Sequence, residues 1–154
     1  MKNVRYIFMS LLLVILAAGC TQNNGHIGRL FGSWYLEEAT IDGVLMELPA
    51  DTETFFSFQS DIVLVTLKGT YGYKENYWGT FEQLSGGLLR LHFTYSDNEN
   101  PVGTGGYSAP TWLGFPSTGV FDLKESAESK GDKLVLTRVS DSGEIYIFKF
   151  TKTW

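Results

Sequence analysis

Apolar and polar residues alternate with a period near two from Gly32 to the C-terminus, which is the spacing of β-strands with one buried face. The clearest run is 88–95, where Leu89, Leu91 and Phe93 alternate with polar side chains. The pattern predicts strands at 33–40, 44–48, 54–59, 62–68, 71–74, 77–83, 88–95, 120–124, 133–139 and 144–152.

Turn-forming residues separate these predicted strands. The dipeptides Asp42-Gly43 and Glu75-Asn76 and the Asp-Ser-Gly sequence at 141–143 all fit tight turns. About eight to ten short strands joined in this way predict an all-β fold, either a sandwich or an antiparallel barrel. Because consecutive hairpins favour an up-and-down meander and closure removes exposed strand edges, we expect a β-barrel of about eight strands.

The first residues of the chain follow a different pattern. Lys2 and Arg5 accompany a thirteen-residue, almost wholly apolar run at 6–18, which is shorter than the roughly 20 residues that a membrane-spanning helix needs. A positive segment with such a run is typical of a secretory signal peptide. The run leads through small residues to Cys20, which is the one cysteine of the sequence.

The sequence Ala-Ala-Gly-Cys at 17–20 resembles the lipobox of bacterial lipoproteins. The resemblance implies that residues 1–19 are a lipoprotein signal peptide and that Cys20, the first mature residue, carries acyl chains such as palmitate. Residues 20–28 are polar and rich in Gly and Asn, so we expect a lipidated tether that reaches at most about 27 Å from the membrane. By the same resemblance, Thr21 implies sorting to the outer membrane of a Gram-negative-type cell envelope, facing the periplasm.

Composition and charge limit the fold class and the kinds of binding partner expected for the chain after the signal peptide. Residues 29–154 suffice for one domain, and 15% aromatic residues with 17 Gly favour strands and turns over helices. Without Lys2 and Arg5, the 12 basic residues fall to 10 against 17 acidic ones, which gives a net charge of −7. So acidic a chain argues against nucleic-acid binding, which needs clustered Lys and Arg.

Few side chains suit catalysis or metal binding. His26 falls in the tether and His92 lies beside no nucleophile motif, so neither a His-based triad nor a zinc site is indicated. Glu37 and Glu38 are neighbours on a predicted strand and should point to opposite faces, which does not suit a carboxylate pair. We therefore expect a non-catalytic protein without a metal or cofactor.

One connection, 96–118, is far longer than the others. Its twenty-three residues include four Gly, three Pro and the aromatic residues Tyr107, Trp112 and Phe115. Loops of this length in compact domains are usually functional or disordered, and three large rings seldom remain in a simply solvated loop. The connection is expected to be a folded lid or an interface, or else to pack against its own barrel.

The start of the first strand resembles the entry of lipocalin-type barrels. Gly32 and Trp34 form a Gly-x-Trp motif, and the stretch 30–36 around it looks like the small lipocalin-like domains of bacterial lipoproteins. The resemblance implies a lipocalin-like domain over 29–154, in which a short helical turn closes one end and Trp34 plugs it. In lipocalins an Arg near that end stacks on the Trp, and Arg138 is the candidate here.

The same resemblance implies a binding protein whose barrel carries a small, partly apolar ligand in the cell envelope. The alternative is an accessory lipoprotein that docks a protein or glycan through the aromatic loop 96–118. Composition leaves open whether the interior is hollow or filled, since an eight-stranded barrel suits either. The candidate ligand contacts are aromatic residues at strand spacing or near the long loop: Tyr73, Trp78, Tyr95, Tyr107, Trp112 and Phe115.

Overall fold

One antiparallel sheet contains all the strands in residues 28–96, 109–116, 118–125 and 132–154, which are the residues described by the structure, a computed structural model. In chain order the strands are β1 Gly32–Ile41, β2 Val44–Leu45, β3 Thr52–Gln59, β4 Ile62–Gly69, β5 Lys74–Leu84, β6 Leu88–Ser96, β7 Thr118–Glu125, β8 Lys133–Val139 and β9 Ile145–Lys152. The short β2 folds back beside the last two residues of β1, whose first residues pair with β3. From β3 onward each strand pairs with the next, and β9 returns to β1 to close a ring of eight. The prediction of an all-β, antiparallel, up-and-down barrel is confirmed.

Strand alternation produces the core of the barrel. Side chains on the inner face are almost completely buried, whereas their sequence neighbours, such as Arg90 and His92 on β6, are exposed. Removing apolar surface from water contributes roughly 25 cal/mol per Å², so this inward packing is the main stabilising interaction. The inner-face core includes Leu36, Phe56, Phe58, Val63, Val65, Leu89, Leu91, Phe93, Leu134, Leu136, Phe148 and Phe150.

The seam between β1 and β9 contains a β-bulge before Glu38. The extra residue brings both Glu37 and Glu38 to the outer surface, so the prediction that they point to opposite faces is wrong. The Nζ atom of Lys133 lies 2.8 Å from Oε2 of Glu37, and the Nζ atom of Lys149 lies 2.6 Å from Oε1 of Glu38. The hydrogen bond from Lys133 lowers the pKa of Glu37 below its ordinary value of 4.5. Exposed ion pairs of this kind add little stability.

The two ends of the barrel are built differently. At the end where β1 begins, a turn at 28–31 inserts Leu30 into the core. The C-terminal residues close over the same end, because Ser33 exchanges two backbone hydrogen bonds with residues 153–154. We call this the closed end. The opposite end, called the mouth, is where the following connections begin and end: 42–51, 70–73, 97–117 and 140–144.

Two predictions about individual strands are wrong. Glu75-Asn76 is not a turn, because β5 runs through both residues and pairs them with β4. The chain reverses earlier, at Thr70–Gly72. The predicted strand at 44–48 is reduced to the two residues of β2, since only these pair with the end of β1.

Candidate functional site

An aromatic ring from the long connection occupies the barrel interior. The Phe115 ring stacks on that of Phe148 of β9, with 5.0 Å between centroids and 18° between planes. The same ring lies 5.7 Å from Phe56 of β3 and 5.8 Å from Phe93 of β6, measured between centroids. Because β3, β6 and β9 stand on different sides of the closed sheet, a ring that contacts all three lies inside the barrel. Phe115 is accordingly only 5% exposed.

Residues 109–116, called here the plug segment, carry Phe115 into this position. A 3₁₀ turn at Thr111–Leu113 ends at Gly114, whose left-handed φ of 67° redirects the chain. Ala109 and Leu113 are buried with Phe115 and belong to the same core cluster. The described part of the long connection is therefore packed into its own barrel, which is one of the alternatives that its composition left open.

Arg138 on β8 holds the plug segment at the mouth. Its guanidinium donates a hydrogen bond to the carbonyl oxygen of Gly114 at 3.0 Å and lies 5.4 Å from the ring centroid of Tyr146 on β9. A Cβ atom on Gly114 would come within 2.5 Å of the Tyr146 ring. The close approach and the positive φ together require glycine at this position.

The cation that faces Trp34 is Lys152, which corrects the expected pairing with Arg138. Trp34 is 2% exposed at the closed end, and its indole N–H donates to the carbonyl oxygen of Leu30 at 2.8 Å. The Lys152 ammonium lies 5.1 Å from the Trp34 ring centroid. Arg138 instead pairs with Tyr146, which stands six residues from Lys152 along β9. That spacing corresponds to about 20 Å, so Arg138 belongs to the mouth and cannot stack on Trp34.

The plug segment contains two of the predicted ligand contacts. Phe115 lies inside the barrel, and Trp112 is half-buried against the core. The Nε1 atom of Trp112 is buried, and no described residue forms a hydrogen bond with it. The side chain of Tyr95 and the whole of Tyr107 lie outside the described residues.

Two other predicted contacts lie away from the interior. Trp78 is 38% exposed on the outer face of β5, because its neighbours Tyr77 and Gly79 take the inward positions. Trp78 therefore does not line the barrel interior. Tyr73 follows the turn between β4 and β5 and is exposed on the rim of the mouth.

A buried polar pair lies on the inner face of β5 near the mouth. Glu75 is 9% exposed, and the hydroxyl of Tyr77 donates a hydrogen bond to its Oε2 atom at 2.7 Å. Leu67 of β4 and Thr54 of β3 continue the same row across the sheet, and both are buried. Sequence reasoning missed Glu75 because it placed the residue in a turn. The sequence did contain a signal. Glu75 has the same two-residue spacing as Tyr77 and Gly79, so the alternation of the predicted strand 77–83 extends toward the N-terminus as far as Glu75.

Exposed apolar side chains surround the mouth. Val44 and Leu45 of β2 lie on one part of this rim, and Tyr71 lies in the turn between β4 and β5. Val139 and Ile145 form the last pair of β8 and β9 on another part of the rim. The mouth thus combines a buried carboxylate, an inserted aromatic ring and an apolar rim, which is a combination suited to noncovalent binding.

The described residues form neither a metal-ligand cluster nor a membrane-spanning helix. Within residues 28–96, 109–116, 118–125 and 132–154, no three His, Cys, Asp or Glu side chains gather in a position to hold a metal ion. The same ranges contain no helix with the length and apolar character needed to cross a membrane. The described groups available for binding at the mouth include its aromatic rings, the Tyr77 hydroxyl, the Glu75 carboxylate and the Arg138 guanidinium.

Comparison with known proteins shows a fold relationship. Neither a protein-family model nor a curated protein matches the sequence. A lipocalin-like protein from Bacteroides uniformis is similar in structure, with a TM-score of 0.51 and 19% identity over 79% of this chain and 98% of its own. An uncharacterised protein from Bacteroides eggerthii matches with a TM-score of 0.52 and 19% identity, over 78% of this chain and 98% of its own. These similarities show that the barrel is lipocalin-like.

Proposed function

We propose that this protein is a lipoprotein, anchored through Cys20, whose barrel binds one small, partly apolar molecule at the mouth without chemically changing it. The observation that carries this proposal is the position of Phe115 among rings from three strands. An interior that accepts one apolar group from a connecting segment offers the same contacts to an apolar group of similar size. Phe115 occupies the place that the ligand would take.

Local features of the plug segment favour such an exchange. Among the described residues the buried indole N–H of Trp112 has no hydrogen-bond partner, and an unsatisfied buried donor costs about 1–3 kcal/mol. Displacement of the segment relieves this cost because water or a ligand acceptor can then reach the indole. Arg138 attaches the segment through one hydrogen bond to a carbonyl oxygen, which is a modest interaction compared with the apolar burial that a ligand would restore.

The second candidate function is docking of a protein or glycan at the mouth of an otherwise solid barrel. The exposed apolar rim formed by Val44, Leu45, Tyr71, Val139 and Ile145 favours it. The aromatic loop is less suitable as the docking element, because its described rings pack against the core. We propose the cell envelope as the location in either case, with the outer membrane facing the periplasm as the favoured site.

A competition between Phe115 and an added ligand tests the proposal. The full chain is placed in phosphatidylcholine nanodiscs and titrated with octan-1-ol. Native mass spectrometry then counts the octan-1-ol molecules that stay bound to the protein after it is released from the nanodisc. We expect one octan-1-ol per wild-type protein. Phe115→Ala should bind it several-fold more tightly, because the substitution removes the competing ring and leaves a cavity.

The matched control is Phe55→Ala, which removes the same side chain from the outer face of β3, where it contacts Tyr35. This variant should bind octan-1-ol as the wild type does. If the wild-type chain binds none, or if both variants bind equally, the interior is not a ligand site and docking at the rim becomes the favoured function.

A further inference from the structure

A carboxylate inside an apolar barrel requires a physical reason. Glu75 is the one charged side chain among the described residues that is buried. Its row on the inner face continues through Leu67 to Thr54, and the Tyr77 side chain beside it belongs to the aromatic core. Removing a carboxylate from water is costly unless a counter-charge or several hydrogen-bond donors compensate.

The described chain supplies only part of that compensation. In these ranges the Tyr77 hydroxyl is the single hydrogen-bond partner of Glu75, and no Lys or Arg forms an ion pair with it. The closest lysines along the two strands, Lys68 and Lys74, are exposed and pair in register on the outer face. One neutral donor leaves the second carboxylate oxygen able to accept from a further donor.

We infer that the molecule bound in this barrel is an apolar amine, whose ammonium group pairs with Glu75 while its apolar part replaces Phe115. This inference rests on the proposed function and specifies its ligand class. An ammonium supplies both the missing charge and the missing donors, and a charge-assisted hydrogen bond is roughly twice as strong as a neutral one. The net charge of −7 of the mature chain also favours the approach of a cation over that of an anion.

The geometry places the two parts of such a ligand at the same end of the barrel. Glu75 is the second residue of β5, which begins at the mouth, and the plug segment enters through the connection between β6 and β7 at the same end. A molecule that displaces Phe115 from the mouth therefore passes the inner face that carries Glu75 and Tyr77.

Three probes with the same eight-carbon chain and different head groups test the inference. Octan-1-amine, octan-1-ol and octanoate are titrated separately against the full chain in phosphatidylcholine nanodiscs, and native mass spectrometry gives the bound fraction at the measured free concentration. We expect the amine to bind about tenfold more tightly than the alcohol and the octanoate to bind most weakly.

Substitutions then assign the preference to one carboxylate. Glu75→Gln keeps the shape and an acceptor for Tyr77 but removes the charge. It should abolish the preference for the amine while changing the affinity for octan-1-ol by no more than about twofold. The matched control is Glu82→Gln on the outer face of β5, where Glu82 pairs with Arg90. It should keep the wild-type preference.

The outcomes separate this inference from the proposed function. If the wild-type chain binds the amine and the alcohol equally, or if Glu75→Gln keeps the preference, the amine inference is wrong while ligand binding stands. If no probe binds, both are wrong. The head-group comparison needs only the wild-type protein, so it decides the question even if Glu75→Gln does not fold.

Discussion

Single residues at the closed end show how far a short motif can be interpreted. The Gly-x-Trp sequence indicated a buried Trp34 near one end, and the structure buries it there. The partner cation could not be derived in the same way. Which basic residue faces the ring depends on the register of β9 against β1, and this non-local pairing brings Lys152 and not Arg138 beside Trp34.

Replacement of Trp34 tests its structural role. Because the side chain is almost fully buried and its indole N–H is satisfied by Leu30, Trp34→Ala should lower the free energy of unfolding by about 3–5 kcal/mol. Lys152→Met should lower it by at most about 2 kcal/mol, because the cation–π contact is partly desolvated and the methionine keeps much of the apolar packing. Urea unfolding followed by circular dichroism gives both values.

A tryptophan on the outer face provides the comparison for that experiment. Trp78→Ala removes a side chain that is 38% exposed, so its cost should be well below that of Trp34→Ala. Equal losses for the two variants would mean that Trp34 does not act as a buried plug of the closed end.

At the scale of elements, local turn preference and sheet pairing disagree in β5. Glu75 and Asn76 are residues that favour turns, yet pairing with β4 extends the strand through both of them. The side chains support this pairing, because the Thr66 hydroxyl donates to Oδ1 of Asn76 at 2.9 Å. Local composition could not reveal this, since the competing signal lies on another strand.

The plug segment is an element whose attachment can be altered without changing the sheet. Gly114→Ala would place a Cβ 2.5 Å from the Tyr146 ring at a positive φ, and Arg138→Met would remove the hydrogen bond to the Gly114 carbonyl. We expect both variants to loosen the segment, so that the Leu113 amide, which donates to Pro110, exchanges about tenfold faster with deuterium. Exchange in the core strands should be less affected.

A second glycine at the mouth, Gly143, separates the effect of backbone strain from that of the contact with Tyr146. Gly143 also has a positive φ, of 89°, but a Cβ there would meet nothing within 4 Å. Gly143→Ala should therefore leave the Leu113 amide at its wild-type rate. Unchanged exchange in Gly114→Ala and Arg138→Met as well would show that these contacts do not hold the plug segment.

For the molecule as a whole, the architecture was more predictable than the contents of the barrel. Period-two alternation and sequential turns suffice for an up-and-down barrel, because from β3 to β9 each strand pairs with the next one in sequence. The interior could not be derived, since it depends on where a long connection places Phe115 and on which face of β5 carries Glu75. Neither property follows from a local pattern.

The position of the N-terminus gives the barrel a direction relative to the proposed membrane anchor. Gly28 leads into β1 at the closed end, and Cys20 precedes it by eight residues. Eight residues span at most about 27 Å. If Cys20 carries the acyl chains, the closed end is held close to the lipid and the mouth is directed away from it.

Energy transfer from labelled sites to acceptor lipids tests this orientation. An acylated Cys20 has no free thiol, so a cysteine introduced by Asp61→Cys at the closed end or by Ser142→Cys at the mouth can be labelled alone. We expect higher transfer efficiency from position 61 than from position 142, and mass spectrometry should find acyl chains on Cys20. Equal transfer with acylation present would mean that the tether does not orient the barrel, whereas Cys20 without acyl chains would remove the anchor itself. Higher transfer efficiency from position 61 would mean that the mouth is directed away from the lipid, so that a ligand bound at the mouth would arrive from the aqueous side.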